Sequence, residues 1–323
     1  MTEHAASSRL SVAALRRFDW QQYIIYIGFV IVFAAFAVAL GGKGFLTTTN
    51  LLNVFRQTAI ISIMAVAMTF VIGAGQIDLS VGAIVGLTTV VVALALGPWG
   101  LPLPLAVFIG LLTGLIVGAA NGLLLAIVGI PSFLVTLAMS LIVFGTAQWL
   151  SNTSPVPINN DTFTNIFGSG DVGPIPSLLV WTAVVFVAGH IVLRKTTYGR
   201  RVLATGGNAV AARFSGVDIR RIRFLVMTVM GTVAALAGIL FAGRLHSGRF
   251  EFGQGQELSV IAAVILGGTS LFGGRATVIG TLFGSLMIGL INNGLTLANL
   301  PNSQQFIVHG VIIILAVALA KKR

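Results

Sequence analysis

Asp78 and Glu257 occupy matching places in two similar stretches, Gly75-Gln76-Ile77-Asp78-Leu79-Ser80-Val81 and Gly255-Gln256-Glu257-Leu258-Ser259-Val260. Both acids border long apolar runs. An ionised group inside a bilayer costs at least about 2.5–3.5 kcal/mol, so such residues are paired, wetted or buried in protein, and are often functional. Two chemistries suit them. They can carry a proton or bind a polar solute along a path, or they can cap a helix by accepting from its free backbone N–H groups. The capping role is slightly favoured for Asp78, and Glu257 can do the same. Gln76, Gln254 and Gln256 can hydrogen-bond a hydroxylated solute.

A second echo follows the first. Gly110, Gly114, Gly118, Asn121 and Gly122 are matched by Gly280, Gly284, Gly289, Asn292, Asn293 and Gly294. Small residues at this spacing line one helix face and let backbones approach closely, so packing is favoured over a direct solute role for the glycines. The asparagines either cap helix ends or line a path, and both readings stand.

Other chemistries find no residues to carry them. With Cys absent there is no disulfide framework and no thiolate nucleophile or metal site. No Gly-x-x-x-x-Gly-Lys-Ser/Thr stretch occurs, and the one Gly-Lys pair, Gly42-Lys43, is followed by Gly44. No His-Glu-x-x-His occurs, and His190 and His309 stand singly, which suits packed polar residues better than ligands. Neither a cofactor nor a metal is expected, and no catalytic residues are assigned.

The elements that hold these residues are membrane spans. Of 323 residues, 56% are hydrophobic and 8% charged, with a mean hydropathy of +1.01, against about 25% charged in a soluble domain. A span needs about 20 apolar residues. Ten candidates lie at 22–40, 51–73, 79–97, 102–128, 131–150, 178–194, 222–243, 257–272, 275–298 and 304–320. The third and eighth are short and interrupted by glycine, so they can be broken or re-entrant, and a count of eight stays open. The first run is longer than a signal-peptide core of about 7–15 residues and reads as an uncleaved span.

With the N-terminus in the cytoplasm, 15 of the 19 Lys and Arg residues fall on the inner side, as the positive-inside rule requires. This clustering also accounts for the net charge of +11 without nucleic acid. The echoed spans are third with eighth and fourth with ninth, an odd offset, so the copies run oppositely through the bilayer. The expected fold is all-α, a polytopic transmembrane helical bundle of two inverted repeats, with both termini cytoplasmic. Its parts are a cytoplasmic tail (1–21), one transmembrane domain (22–320) with a cytoplasmic coupling loop (195–221), and a basic tail (321–323).

That loop runs Thr196-Thr197-Tyr198-Gly199-Arg200-Arg201-Val202-Leu203-Ala204-Thr205-Gly206-Gly207-Asn208-Ala209-Val210-Ala211-Ala212-Arg213-Phe214-Ser215-Gly216-Val217. Asn208 suits an N-cap and Gly216 a C′ position, with about two turns of helix between them. Such a helix on the inner face can dock a soluble partner, or it can be a surface helix of a topogenic basic loop. Arg244, His246, Arg249 and Glu251 form a charged cluster on the outer side.

Several segments resemble one family, the permeases of bacterial ribose-type sugar ABC importers. Ile77-Asp78-Leu79-Ser80-Val81-Gly82 resembles their Ile-Asp-Leu-Ser-Val-Gly motif, and Tyr198 to Val217 resembles their cytoplasmic loop. Glu257-Leu258, Ile261 to Leu271 with Gly273-Gly274, and Asn292-Asn293-Gly294-Leu295 are similar to further family runs, in order from about 45 to 320. Gln76 replaces a usual glycine, Arg275-Ala276 a usual Lys/Gln-Gly, and Val217 an isoleucine.

The resemblance implies a translocation path for a monosaccharide or similar polar solute, in the bacterial inner membrane. Its expected lining is Gln76, Asp78, Asn121, Gln256, Glu257, Asn292 and Asn293. It implies cytoplasmic ATPase subunits docked on the loop around Asn208–Gly216, with Gly206, Asn208, Ala211, Ala212, Arg213 and Gly216 coupling ATP hydrolysis to transport. It also implies a second permease subunit, identical or homologous, and an extracytoplasmic solute-binding protein meeting Arg244, Arg249 and Glu251. The residues alone leave a rival open, a proton-coupled secondary transporter using Asp78 or Glu257. A receptor or intramembrane enzyme would need a reactive cluster that the sequence does not display. Among solutes, nucleosides, inositol and signalling sugars suit the same residue types.

Overall fold

The computed structural model describes residues 20–314, apart from 302, 306, 309 and 313. Helices form where apolar runs are opened by a capping side chain or a proline. The first five are α1 (Trp20–Leu40), α2 (Thr48–Gly73), α3 (Val81–Leu96), α4 (Leu103–Leu123) and α5 (Ser132–Ser151). A π-helical turn, Leu124–Val128, prolongs α4. Next come α6 (Asp161–Phe167), α7 (Ser177–Lys195), α8 (Thr197–Gly207) and α9 (Ala209–Phe214). The last three are α10 (Ile219–Leu245), α11 (Gln256–Leu266) and α12 (Val278–Leu297). Thr47, Asp218 and Thr277 cap α2, α10 and α12, each side chain accepting a backbone N–H at 3.0–3.3 Å. Pro102 and Pro131 precede α4 and α5.

Among the described residues, seven helices are long and apolar enough to cross a membrane: α1, α2, α4, α5, α7, α10 and α12. The protein is a helical membrane bundle. The expected third and eighth spans are α3 and α11, with 16 and 11 residues. At 1.5 Å per residue they cover about 24 and 16 Å, less than a hydrocarbon core of about 30 Å. The eighth was expected over 257–272 but its helix stops at Leu266, where Gly267 lies against the backbone of Gly280. The ninth begins at Val278 instead of 275. Of the expected tenth span, residues 304–305, 307–308, 310–312 and 314 are helical. The rest of it, most of the N-terminal tail and the 321–323 tail lie outside the described residues, as does His309.

Each short span is completed by irregular, non-helical chain. Residues 75–80 climb beside α5, with Ile77 N–H donating to Ser132 Oγ at 3.2 Å and Leu79 N–H to Thr136 Oγ1 at 3.0 Å. Residues 247–255 descend beside α3. There Arg249 N–H donates to Thr89 Oγ1 at 3.1 Å, and Gly253 packs against Gly82 and Val85. Irregular backbone at membrane depth is tolerated when protein supplies its hydrogen bonds. Gly75 and Gly255 hold φ of +72° and +78° at corresponding points of the two motifs.

The packing follows the expected repeat. α2 packs on α12 as α10 packs on α4, α3 sits against α4 and α10, and α11 sits against α12 and α2. α2 is the central helix: 83% of its most apolar window is buried, against 11% for the first span, which faces outward. The glycines of α4 serve packing. An added Cβ at Gly114 would collide with the Gly231 carbonyl and Ala235, and one at Gly118 with the Met227 carbonyl. On α12, Gly284 is pressed onto Ala263 of α11 and Gly289 onto Thr58 of α2. Between α2 and α12, Ser62 shares a hydrogen bond with Ser285 at 2.7 Å and Thr69 with Thr281 at 2.8 Å.

The face bearing α8 and α9 carries the basic loop and is termed inner; the face bearing 152–176 is termed outer. On the outer side β1 (Val156–Pro157) pairs antiparallel with β4 (Ser247–Gly248). β2 (Asp171–Val172) pairs with β3 (Ile175–Pro176).

Candidate translocation path and docking face

Where the irregular run 75–80 meets α3, Asp78 is fully buried. Its Oδ1 accepts from the Ser80 N–H at 2.8 Å and from Ser80 Oγ at 2.6 Å. Asn121, also fully buried on α4, donates from Nδ2 to Ser80 Oγ at 2.9 Å. Asp78 thus holds the turn into α3 through one oxygen, at Ser80 before the helix and not at a helix N–H. Asp78 Oδ2 and Asn121 Oδ1 are buried acceptors without a protein partner, and so is Gln256 Oε1. Asn121 ends no helix here; it ties α4 to the broken span. Gln76 is buried in the same run, with Nε2 3.5 Å from the Ala74 carbonyl.

Glu257 lies in the first turn of α11, half-buried, where the helix dipole favours an acid. An added Cβ at Gly82 would meet its Oε2 at 2.5 Å and the Gly253 carbonyl more closely still. The two echoed motifs therefore touch, and the N-termini of α3 and α11 converge inside the bundle.

Asn292 and Asn293 do not join them. Asn293 exchanges amide hydrogen bonds with Asn50 at 3.1 and 2.9 Å. Asn50 lies in the first turn of α2, while Gly75 and Asp78 follow its last. That helix has 26 residues, or about 39 Å. The seven path candidates thus form one group at the broken spans and another at the outer end of α12.

On the outer face, Arg244 turns inward, with Nη1 donating to the Arg56 carbonyl at 3.3 Å. Arg56 pairs with Asp171 at 3.0 Å, which ties α2 to the outer loop. His246 shares a hydrogen bond with Ser169 at 3.1 Å. Arg249 and Glu251 are exposed, and the backbone of Arg249 is pinned to Thr89.

On the inner face the expected short helix is α9. Asn208 Oδ1 accepts from the Ala211 N–H at 3.0 Å, and Gly216 follows the helix at φ +83°. Ala212 is buried beneath it, whereas Val210 and Phe214 are 67% and 89% exposed. Beside them opens a groove of about 890 Å³, lined by Leu125, Val128, Arg213, Arg220 and Arg223 among others. The sequence reading missed α8. Its cap is Thr196, which accepts from the Gly199 N–H at 3.2 Å, and its buried residues Gly199, Val202 and Thr205 recur at helical spacing. That cap and that period were visible within the basic loop. Tyr198 of α8 stacks on Phe70 of α2, and burial pushes its hydroxyl up to about 12.

Comparison with known proteins shows the family. The sequence profile described as "Branched-chain amino acid transport system / permease component" matches residues 50–317, and the chain belongs to this family of transport-system permease components. The ribose import permease protein of Escherichia coli (strain K12) is 39% identical over 282 residues, covering 86% of this chain and 88% of the relative. The L-arabinose ABC transporter permease protein of Azospirillum brasilense is 36% identical over 300 residues, covering 93% and 87%. The xylose transport system permease protein of Haemophilus influenzae is 32% identical over 364 residues, covering 94% and 96%. No solved structure matches the chain.

Proposed function

We propose that this chain is the membrane-spanning permease subunit of a binding-protein-dependent ABC importer in the bacterial inner membrane, and that its path carries a monosaccharide or a similar polar solute. The observation that carries this reading is the capped helix α9. It presents Val210 and Phe214 at a fixed place on the inner face, beside a groove edged by arginines. Exposed apolar anchors with a charged rim suit a soluble protein partner. The sequence has no Walker motif, so the partner that supplies ATP is a separate subunit. The named solutes of the three relatives support the solute class.

In this reading the ATPase docks on the loop around Asn208–Gly216, and Gly206, Asn208, Ala211, Ala212, Arg213 and Gly216 couple it to the bundle. A second permease subunit, identical or homologous, completes the assembly. A solute-binding protein meets the outer face at Arg249 and Glu251, with Arg244 supporting that face from within. Ten spans cross the membrane and both termini are cytoplasmic. Solute passes the broken spans, where Gln76, Asp78, Asn121, Gln256 and Glu257 supply polar groups; Asn292 and Asn293 belong to the outer end. Closure of the ATPases moves the docked helices and rocks the repeats around the path.

The test is purification from the native membrane in mild detergent, then ATP-driven uptake in vesicles. Recovery of a stoichiometric ATPase and uptake that needs ATP are expected. A chain that purifies alone and transports on a pH gradient without ATP would replace this reading with a secondary transporter.

A further inference from the structure

Two residues separate the docking helix from a contact made of bare backbone. Asn208 ends α8, its N–H donating to the Ala204 carbonyl at 3.1 Å, and the same residue caps α9. Two residues earlier, Gly206 is wedged between the end of α2 and the turn that leads to α12. An added Cβ there would collide with the Gly73 carbonyl and stand 2.8 Å from the Gly274 nitrogen. From the other side, a Cβ on Gly273 would stand 2.8 Å from the Gly206 Cα and 2.9 Å from the Gly75 nitrogen. The Gly274 N–H donates to the Gly73 carbonyl at 3.0 Å, which joins the two membrane segments directly. Five glycines from three segments therefore meet with no side chain between them.

The two membrane segments lead from this contact to different elements. Gly75 opens the irregular run that holds Asp78 and leads to α3, and α3 in turn touches Gly253 and Glu257 of the second broken span through Gly82. Gly273 and Gly274 precede α12. A displacement of α9 thus has an unbroken route of backbone contacts to both broken spans. Side chains can absorb a shift of a few tenths of an ångström by changing rotamer; backbone pressed on backbone cannot, and close-packed interiors transmit such strain.

We infer that Gly206, seated among Gly73, Gly75, Gly273 and Gly274, is the positioning residue that transmits movement of the docked helix to the third and eighth spans. The inference rests on the importer reading. On it, glycine is required at 206 because a rigid contact is needed there, and the residue touches neither solute nor nucleotide.

The experiment uses the full permease with its co-purified ATPase in vesicles, with ATP hydrolysis and solute uptake measured in the same preparation. Gly206→Ala is compared with Gly207→Ala. The two neighbours share the end of α8, but a Cβ at 207 meets only the Gly274 Cα, at an ordinary 3.5 Å. Lost couplings between sites are typically worth about 5–150-fold, so Gly206→Ala is expected to lower uptake about tenfold or more while the ATPase stays bound and hydrolyses ATP. Gly207→Ala is expected to transport like the unaltered protein. Equal uptake by Gly206→Ala would overturn the inference. So would parallel loss of bound ATPase, hydrolysis and uptake, since the contact would then only hold the fold. Failure of the unaltered chain to bind an ATPase would instead remove the importer reading itself.

Discussion

The side-chain amides of Asn50 and Asn293 donate to one another, at 3.1 and 2.9 Å, and join the start of α2 to the outer end of α12. Asn50 also donates to the Phe45 carbonyl at 2.9 Å. A buried polar group that loses its partner costs about 1–3 kcal/mol. Asn293→Leu is therefore expected to lower the thermal midpoint in detergent by leaving the Asn50 side-chain oxygen without its donor. Asn50→Leu with Asn293→Leu is expected to recover part of that loss, because both orphaned groups go together. A single variant as stable as the parent would show that the pair contributes nothing.

Asp78 gives a graded test of its turn-holding role. Asp78→Ala removes the one acceptor shared by the Ser80 N–H and Oγ. Two buried donors then lose about 1–3 kcal/mol each. Asp78→Asn keeps a carbonyl oxygen in place and is expected to be much the milder of the two in thermal unfolding. Uptake by the asparagine variant separates the proposals for the path: retained uptake fits a neutral hydrogen-bonding group, and complete loss with normal stability marks the acid itself as necessary.

Ala211→Pro tests the docking helix. Proline removes the N–H that Asn208 accepts and drives Val210 out of the helical region. With only six residues in α9, little remains to hold it. Uptake is expected to be lost while the permease still purifies as a folded bundle. Unchanged ATP-driven uptake would show that docking occurs elsewhere.

Tyr198 sets a pH dependence. Its hydroxyl oxygen is buried without a hydrogen-bond partner, and its pKa is pushed up to about 12 from an ordinary value of about 10. Between those values the folded protein keeps a proton that the unfolded chain has released, so stability falls as pH rises through that window. Tyr198→Phe lacks this contribution. Midpoints of the two proteins measured at about pH 9 and 11 are expected to diverge at the higher value; identical slopes would show that Tyr198 does not titrate in that range.

Much of this fold was legible because apolar length is a strong signal. The runs that became α2, α4, α5, α7 and α10 were long, uncharged in their centres and bounded by caps or prolines. The caps of α9 were legible for the same reason: Asn208 and Gly216 each have a specific backbone use. α8 was hidden because its buried face, Gly199, Val202 and Thr205, carries little hydrophobicity beneath five exposed neighbours. Grouping Asn121 with Asn293 overlooked a consequence of the inverted repeat. Matching positions in oppositely directed copies fall at opposite faces, so α4 and α12 place the two asparagines at opposite ends. The meeting of Gly73, Gly75, Gly206, Gly273 and Gly274 has no local signature, since each glycine alone reads as a turn or a helix end.

The irregular runs that complete the third and eighth spans donate backbone hydrogen bonds to Ser132, Thr136 and Thr89 on neighbouring helices. An ordinary helix carries its own ladder and can slide along its axis as a rod. These two segments have no such independence. Their height in the membrane is inherited from α5 and α3, so any axial slip of those helices carries the runs with it, rung by rung, in steps set by the spacing of hydroxyl groups on another element.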